Sequence, residues 1–335
     1  MTAKVLESFG GKLAEQWVAT LLTPAFVFWL GGFAAILQRW GWKPLVAQFT
    51  AYPEPLQIAL LVGGFCTIAT SAFIVQRFDF ATLRFLEGYG PLWIRPLKQW
   101  RIQQYRDRKT QLSQQAQTLR ALEAQKRTQL QTLKTLIATQ GAAQLTPAQR
   151  TDYLQLNEHL LTPQQQQTLI RIRQELRALP QTNTDLMPTR LGNILRAAER
   201  QPLHKYGLDA IICWSRLWML LPDPVKKDLQ EARADLNTAV RVWLWSLLFC
   251  GWATLAQTPL ATWPLLLGLL SAWFAYRWAI AAAITYSDLL EATFDLYRHL
   301  LYDALRWKLP ENPDEERRVG QQLTQYLWRG EIVTG

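Results

Sequence analysis

The chain has 335 residues, 49% of them hydrophobic, with 16 Trp and a formal net charge of +10, enough for one or two compact units. A basic balance suits nucleic acid or an anionic membrane surface, and the charges lie almost entirely outside four apolar stretches, which favours the membrane. The cysteines (Cys66, Cys213, Cys250) are far apart with no Cys-x-x-Cys pair, so neither a zinc site nor a disulfide framework is indicated.

Residues 1–15 read as an amphipathic N-terminal segment. The apolar stretch behind it starts late and is too long for the apolar core of a cleaved signal peptide. From Gln16 to Gln38 no charge occurs between Glu15 and Arg39, and from Pro55 to Gln76 none occurs between Glu54 and Arg77. Each stretch, at 1.5 Å per residue, is long enough to cross about 30 Å of hydrocarbon as a helix. Residues 16–76 therefore read as a first transmembrane hairpin. Its glycine pairs, Gly31-Gly32 and Gly63-Gly64, suit close helix packing within that hairpin or, alternatively, a moving gate.

Residues 77–183 read as a cytoplasmic helical, coiled-coil-like insert. Pro96 is followed by a text rich in Gln, Arg, Leu and Lys as far as Gln140. Leu112, Leu119, Leu122, Leu130, Leu133 and Leu136 recur near helical spacing, whereas Glu123 and Lys126 break the heptads. A long amphipathic helix ending at Gly141 is expected. Thr146-Pro147 and Thr162-Pro163 each predict a further helix, with Thr as N-cap and Pro at the first helical position. Aromatic residues for base stacking are sparse between 106 and 205, so nucleic acid is not an expected partner.

Residues 184–237 form a juxtamembrane motif region. It reads Pro188-Thr189-Arg190-Leu191-Gly192-Asn193, then Arg196-Ala197-Ala198-Glu199, Tyr206-Gly207-Leu208-Asp209-Ala210 and Trp214-Ser215-Arg216-Leu217. Together with Leu22-Thr23-Pro24-Ala25-Phe26 and Phe28-Trp29-Leu30-Gly31-Gly32, it resembles a group of uncharacterised bacterial multi-pass membrane proteins. The resemblance covers the first span and roughly residues 185–240. It implies an architecture and carries no activity. Read physically, the many charged groups here form either a set of ion pairs, such as Arg196 with Glu199 three residues on, or a basic vestibule at a pore mouth. The apolar segments 211–214 and 217–221 suit an interfacial helix.

Residues 238–286 read as a second transmembrane hairpin. The charge-free run between Arg241 and Arg277 is too long for one span, and Pro259 and Pro264 divide it. Spans over about 239–257 and 264–286 are expected, with a re-entrant pair of half-helices as the alternative. Residues 287–335 form a cytoplasmic C-terminal helix and tail, the helix continuing span four unbroken to Lys308 before Pro310. Lys and Arg crowd the ends of the middle segment and are scarce at the hairpin tips. This predicts cytoplasmic termini and a cytoplasmic insert in the inner (plasma) membrane.

The fold class expected is all-α: two transmembrane hairpins, four spans, flanking a cytoplasmic helical insert. His159, His204 and His299 are dispersed without ligand spacing, and no phosphate loop or nucleophile motif occurs. The chain therefore reads as non-enzymatic, without cofactor or metal. The first expectation is an oligomeric ion channel or pore, homo-oligomeric, with a membrane effector gated by its cytoplasmic domain as a variant. The alternative is a membrane-anchored scaffold whose insert, over residues 97–180, binds a soluble protein. Candidate pore or functional residues are Arg277, the one charge well inside a span, with Arg241, Arg190, Asn193, Arg196, Asp209 and Arg216.

Overall fold

The structure, a computed structural model, describes residues 22–140, 145–255 and 262–330, and among these it is helical with no strand. Among the described residues, three helices are long and apolar enough to cross a membrane: Glu54–Gln76, the helix within Asp223–Leu255, and Trp263–Tyr297. The first expected stretch begins at Gln16, and its residues 16–21 lie outside the described ones.

The first apolar pair comprises α1 (Thr23–Trp40), a short α2 (Trp42–Thr50) and α3 (Glu54–Gln76). Gly41, at φ +81°, makes the break between α1 and α2, a conformation glycine adopts at no steric cost. The register of α1 on α3 is antiparallel: Trp29 Nε1 donates to Ser71 Oγ (3.0 Å), and Ala25 packs with Ala72, Val75 and Trp245. The expected glycine packing differs in its partner. A methyl group on Gly31 or Gly32 would overlap Phe249 or Trp252, so this pair seats α1 on the second apolar pair instead. Gly63 and Gly64 meet nothing within 4 Å.

Next come α4 (Asp79–Glu87) and α5 (Arg95–Gln140), a 46-residue helix about 69 Å long at 1.5 Å per residue. Both Thr-Pro signals hold. Thr146 starts α6 (Pro147–Glu158) and Thr162 starts α7 (Pro163–Arg177), each closing a reciprocal capping box with Gln149 or Gln165. Leu161, Leu169 and Ile172 pack on Leu112 and Ala116 of α5, giving this arm its own apolar core.

The body is built from α8 (Arg190–Tyr206), α9 (Ala210–Leu220), α10 (Asp223–Phe249), α11 (Trp263–Tyr297), α12 (His299–Ala304) and α13 (Pro313–Arg329). The apolar run thus divides between α10, continued by a 3-10 turn over Cys250–Leu255, and α11, which has Pro264 in its first turn. Pro259 lies outside the described residues. Gly268 lets α11 approach Ser246 and Cys250, and Ala272, Ala275, Ala279 and Ala283 line its buried face. α11 passes Asp288 without a break, as expected, but ends at Tyr297 rather than at Lys308. The chain turns at Arg298, where Arg298 holds Glu316 of α13 (Nε to Oε1, 2.6 Å). Leu208, Leu217, Phe294, Tyr302 and Leu323 then close one core around α8, α9 and α13.

Candidate functional site

The motif over 188–222 lies where the arm, α4 and the body meet, and most of its polar groups are committed to one another. Thr189 caps α8, accepting from Gly192 N–H (3.0 Å), while its hydroxyl donates to the Glu87 carbonyl (2.9 Å). That contact requires glycine at 192, since a Cβ there would overlap the same carbonyl. Asn193 is fully buried. Its amide donates to the Met187 and Thr189 carbonyls (2.8 and 2.9 Å) and its oxygen accepts from Met187 N–H (2.9 Å), so it has no donor left for a ligand. Arg196 reaches Asp185 at 3.3 Å and Glu199 at 3.5 Å, the latter being the three-apart pair expected. Arg200 joins Asp185 (3.4 Å) to Asp209 (3.6 Å), and Asp209 also caps α9 through Ile211 N–H. Burial alone would raise the Asp185 pKa. The Thr182 hydroxyl and the guanidiniums of Arg200 and Arg196 outweigh burial and hold it below the usual carboxylate range. Arg216 is exposed and bonds its own helix at the Ile212 carbonyl (2.7 Å).

Arg190 is the exception. It is exposed, makes no ion pair among the described residues, and lines a cleft of about 680 Å³ between α5, α7, α8 and α11. Arg177 of α7 crosses this cleft to Glu291 (2.8 Å) and Asp288 (2.9 Å) of α11, and its hydrogen bond to Glu291 raises the guanidinium pKa further. Arg108 pairs with Glu175 at 2.9 Å. Ser287 is buried on the wall, its hydroxyl without a hydrogen-bond partner among the described residues. Arg177 thus ties the arm to the body, Arg108–Glu175 holds α5 to α7 within the arm, and Ala178, just beyond α7, packs on the body. The arm's apolar core is separate from those of the body. A second, larger hollow of about 970 Å³ opens within the arm between α5 and α6. Gln129, Thr132, Gln149 and Gln155 line it, with Leu133 and Leu136 at its floor.

Arg241 is buried (6% exposed) and grips Asp79, at the start of α4, through Nε (3.1 Å) and Nη2. Arg277 lies on the outer face of α11, its guanidinium 5.9 Å from the Trp273 ring. The antiparallel register of α10 and α11 fixes its height. Trp278 Nε1 donates to Asp235 at 3.2 Å, and Gly268 faces Ser246 and Cys250. Arg277 thus stands opposite Leu236, five residues or about 7–8 Å on the arm side of Arg241.

Sequence reasoning overlooked Asp79, Arg177, Asp185, Ser287 and Glu291. Asp79, Arg177 and Glu291 pair with residues more than a hundred positions away, and no local spacing marks them; Asp185 pairs nearer, with Thr182, Arg196 and Arg200, across a turn the sequence does not announce. Asp79 alone had a signal: it is the first carboxylate after α3, facing a region otherwise rich in Arg and Lys. Comparison of the chain with protein-family models, with curated proteins and with solved structures finds no match.

Proposed function

We propose that the chain is a non-enzymatic integral membrane protein that anchors a partner-binding helical arm at the cytoplasmic face of a bacterial inner membrane. In this reading α1, α3, α10 and α11 form two hairpins. Trp263 Nε1 donates to Gln38 Oε1 (2.9 Å), which supports both hairpin tips lying towards one side. α13 packs on α8 and α9, where Gly320 and Gly207 meet the opposing backbone. This supports the C-terminal segment and the insert sharing the other side. Arg277, outside the Arg241–Asp79 level, then sits at the headgroups, where a guanidinium extends to water at little cost.

The arm carries the proposal. It projects a 46-residue helix with its own small core, an amide-lined hollow, and exposed Leu154 and Ile170, and the Arg177 clamp joins it to α11. A soluble protein bound there would be held at the membrane, and the Arg177 clamp would report its binding to α11. The test places a photo-crosslinking amino acid at Leu154 or Ile170 in cells. A discrete adduct with one soluble protein, absent when the probe sits at Thr50, is expected. Self-adducts alone would refute the proposal.

The uncovered span surface favours a second reading, an oligomeric ion channel. The apolar window of α3 is only 11% buried within the chain, so copies could assemble around it. Ion flux into proteoliposomes separates the two: the anchor predicts the flux of empty vesicles, the channel a flux proportional to protein.

A further inference from the structure

Immediately beyond α3 the chain presents large apolar side chains to the outside. Phe80 is 69% exposed and Trp93 is 80% exposed, and Phe78, Tyr89, Leu97 and Trp100 are each more than 40% exposed. Leu97 and Trp100, three residues apart, lie on one face of the first turns of α5, and Trp93 stands exposed on the 3-10 turn Leu92–Ile94 that leads into it. Further along, the apolar residues of α5 turn inward against α7. The outward apolar face is therefore confined to the part of α5 next to the end of α3. Basic side chains interleave with it. Arg77 and Arg95 are exposed and make no ion pair among the described residues. Arg84 lies 3.5 Å from the Tyr89 ring centroid, and Lys98 Nζ donates to the Gly90 carbonyl (2.6 Å). The carboxylates here are spent: Asp79 is held by Arg241, and Glu87 is paired with Arg84 at 3.6 Å. Burial also raises the Glu87 pKa. The patch faces outward with net positive charge.

We infer that residues 77–100 form a collar that binds anionic phospholipid headgroups of the bilayer holding α3, with Arg77, Arg84 and Arg95 on the phosphates and Trp93, Leu97 and Trp100 among the upper acyl chains. Three observations commit the surface to lipid. It continues directly from a charge-free helix long enough to span a bilayer. Its aromatic and basic side chains alternate, as interfacial segments require. It lies at the height of Arg241, whose guanidinium holds Asp79 within it. Three basic side chains at an anionic surface, one of them shared with Glu87 and all screened by salt, should give a preference of several-fold.

The test reconstitutes the full chain in bilayers of mixed phosphatidylcholine and phosphatidylglycerol. Spin-labelled versions of each lipid report the fraction held at the protein surface. Phosphatidylglycerol should be preferred about threefold or more, and the preference should fall as sodium chloride rises. Arg77→Gln/Arg84→Gln/Arg95→Gln should bring the ratio near one, while Lys126→Gln/Arg127→Gln/Lys134→Gln on the arm should leave it unchanged. Inorganic phosphate should act no more strongly than chloride at equal ionic strength. A wild-type ratio of one overturns the inference, as does a collar variant that keeps the preference. Specific competition by phosphate overturns it in favour of a free-anion site. Binding of a labelled single-stranded oligonucleotide that depends on the three arginines, with no lipid preference, assigns the surface to nucleic acid and also overturns it. Should the triple variant fail to elute as a single species, Arg95→Gln alone and the wild-type salt series decide between the same outcomes.

Discussion

Replacing Arg241 by methionine removes a guanidinium from a site where its partner is largely shielded from water. The Arg241 side chain is 7% exposed and that of Asp79 14%, and both carboxylate oxygens of Asp79 accept from the fork. Leaving a buried charge unpaired costs about 3–5 kcal/mol, which is about two to three and a half decades in the unfolding equilibrium. Scaled as for large domains, that is a fall of about 6–20 °C in the unfolding midpoint. Asp79→Leu should cost a comparable amount, since it strands the arginine instead. Arg241→Lys keeps the charge and loses the fork, so it should fall between wild type and Arg241→Met. The paired variant Arg241→Met/Asp79→Leu removes both charges and should recover most of the loss. The assay heats detergent-solubilised protein and follows the monodisperse fraction by size-exclusion chromatography. If Arg241→Met unfolds within about 3 °C of wild type, or if the paired variant is as weak as the sum of the single ones, the ion pair does not tie α4 to α10 as described.

Gly192→Ala and Gly320→Ala should each destabilise by about 1–3 kcal/mol, since a Cβ at either position overlaps an opposing carbonyl; Gly63→Ala, in open space, should be neutral by the same melt. The Asp185 pKa is depressed in the folded chain, so the unfolded state binds its proton at higher pH. Its contribution is present above the unfolded carboxylate pKa and is lost as pH falls through the folded one. Asp185→Asn should therefore lower the stability at pH 7 by about 1–3 kcal/mol, and the gap should close in acid. Thr162→Ala removes a capping box at α7 and should cost about 1 kcal/mol locally, seen as faster amide exchange over 163–177 with the body unchanged. Arg277→Ala should leave assembly and thermal stability intact.

Local chemistry was legible in the sequence, and long-range pairing was not. Thr-Pro followed by Gln announces α6 and α7 because capping is a contact three residues long. The charge-free run ending at Gln76 announces α3 because the hydrocarbon thickness is fixed. The motif around Arg190 to Asp209 was visible as a pattern, but its meaning was not. The role of Asn193 rests on a turn at Met187, and Gly207 and Gly320 make sense only once α8 and α13 cross. The level of Arg277 along α10 depends on the register of α10 against α11, which is set by Gly268 and the Trp278–Asp235 bond. The arm's tether, Arg177 to Asp288 and Glu291, joins residues more than a hundred positions apart.

The proposed architecture has the hairpin tips on one side of the membrane and the arm and C-terminal helix on the other. Membrane-impermeant thiol labelling in intact cells measures this directly, on a variant with Cys66, Cys213 and Cys250 replaced and one cysteine introduced at Thr50, Gln131 or Gln325, all exposed. The account predicts labelling at Thr50 from outside, and at Gln131 and Gln325 only after permeabilisation. Labelling of Gln131 in intact cells, or protection of Thr50 that permeabilisation relieves, would contradict it.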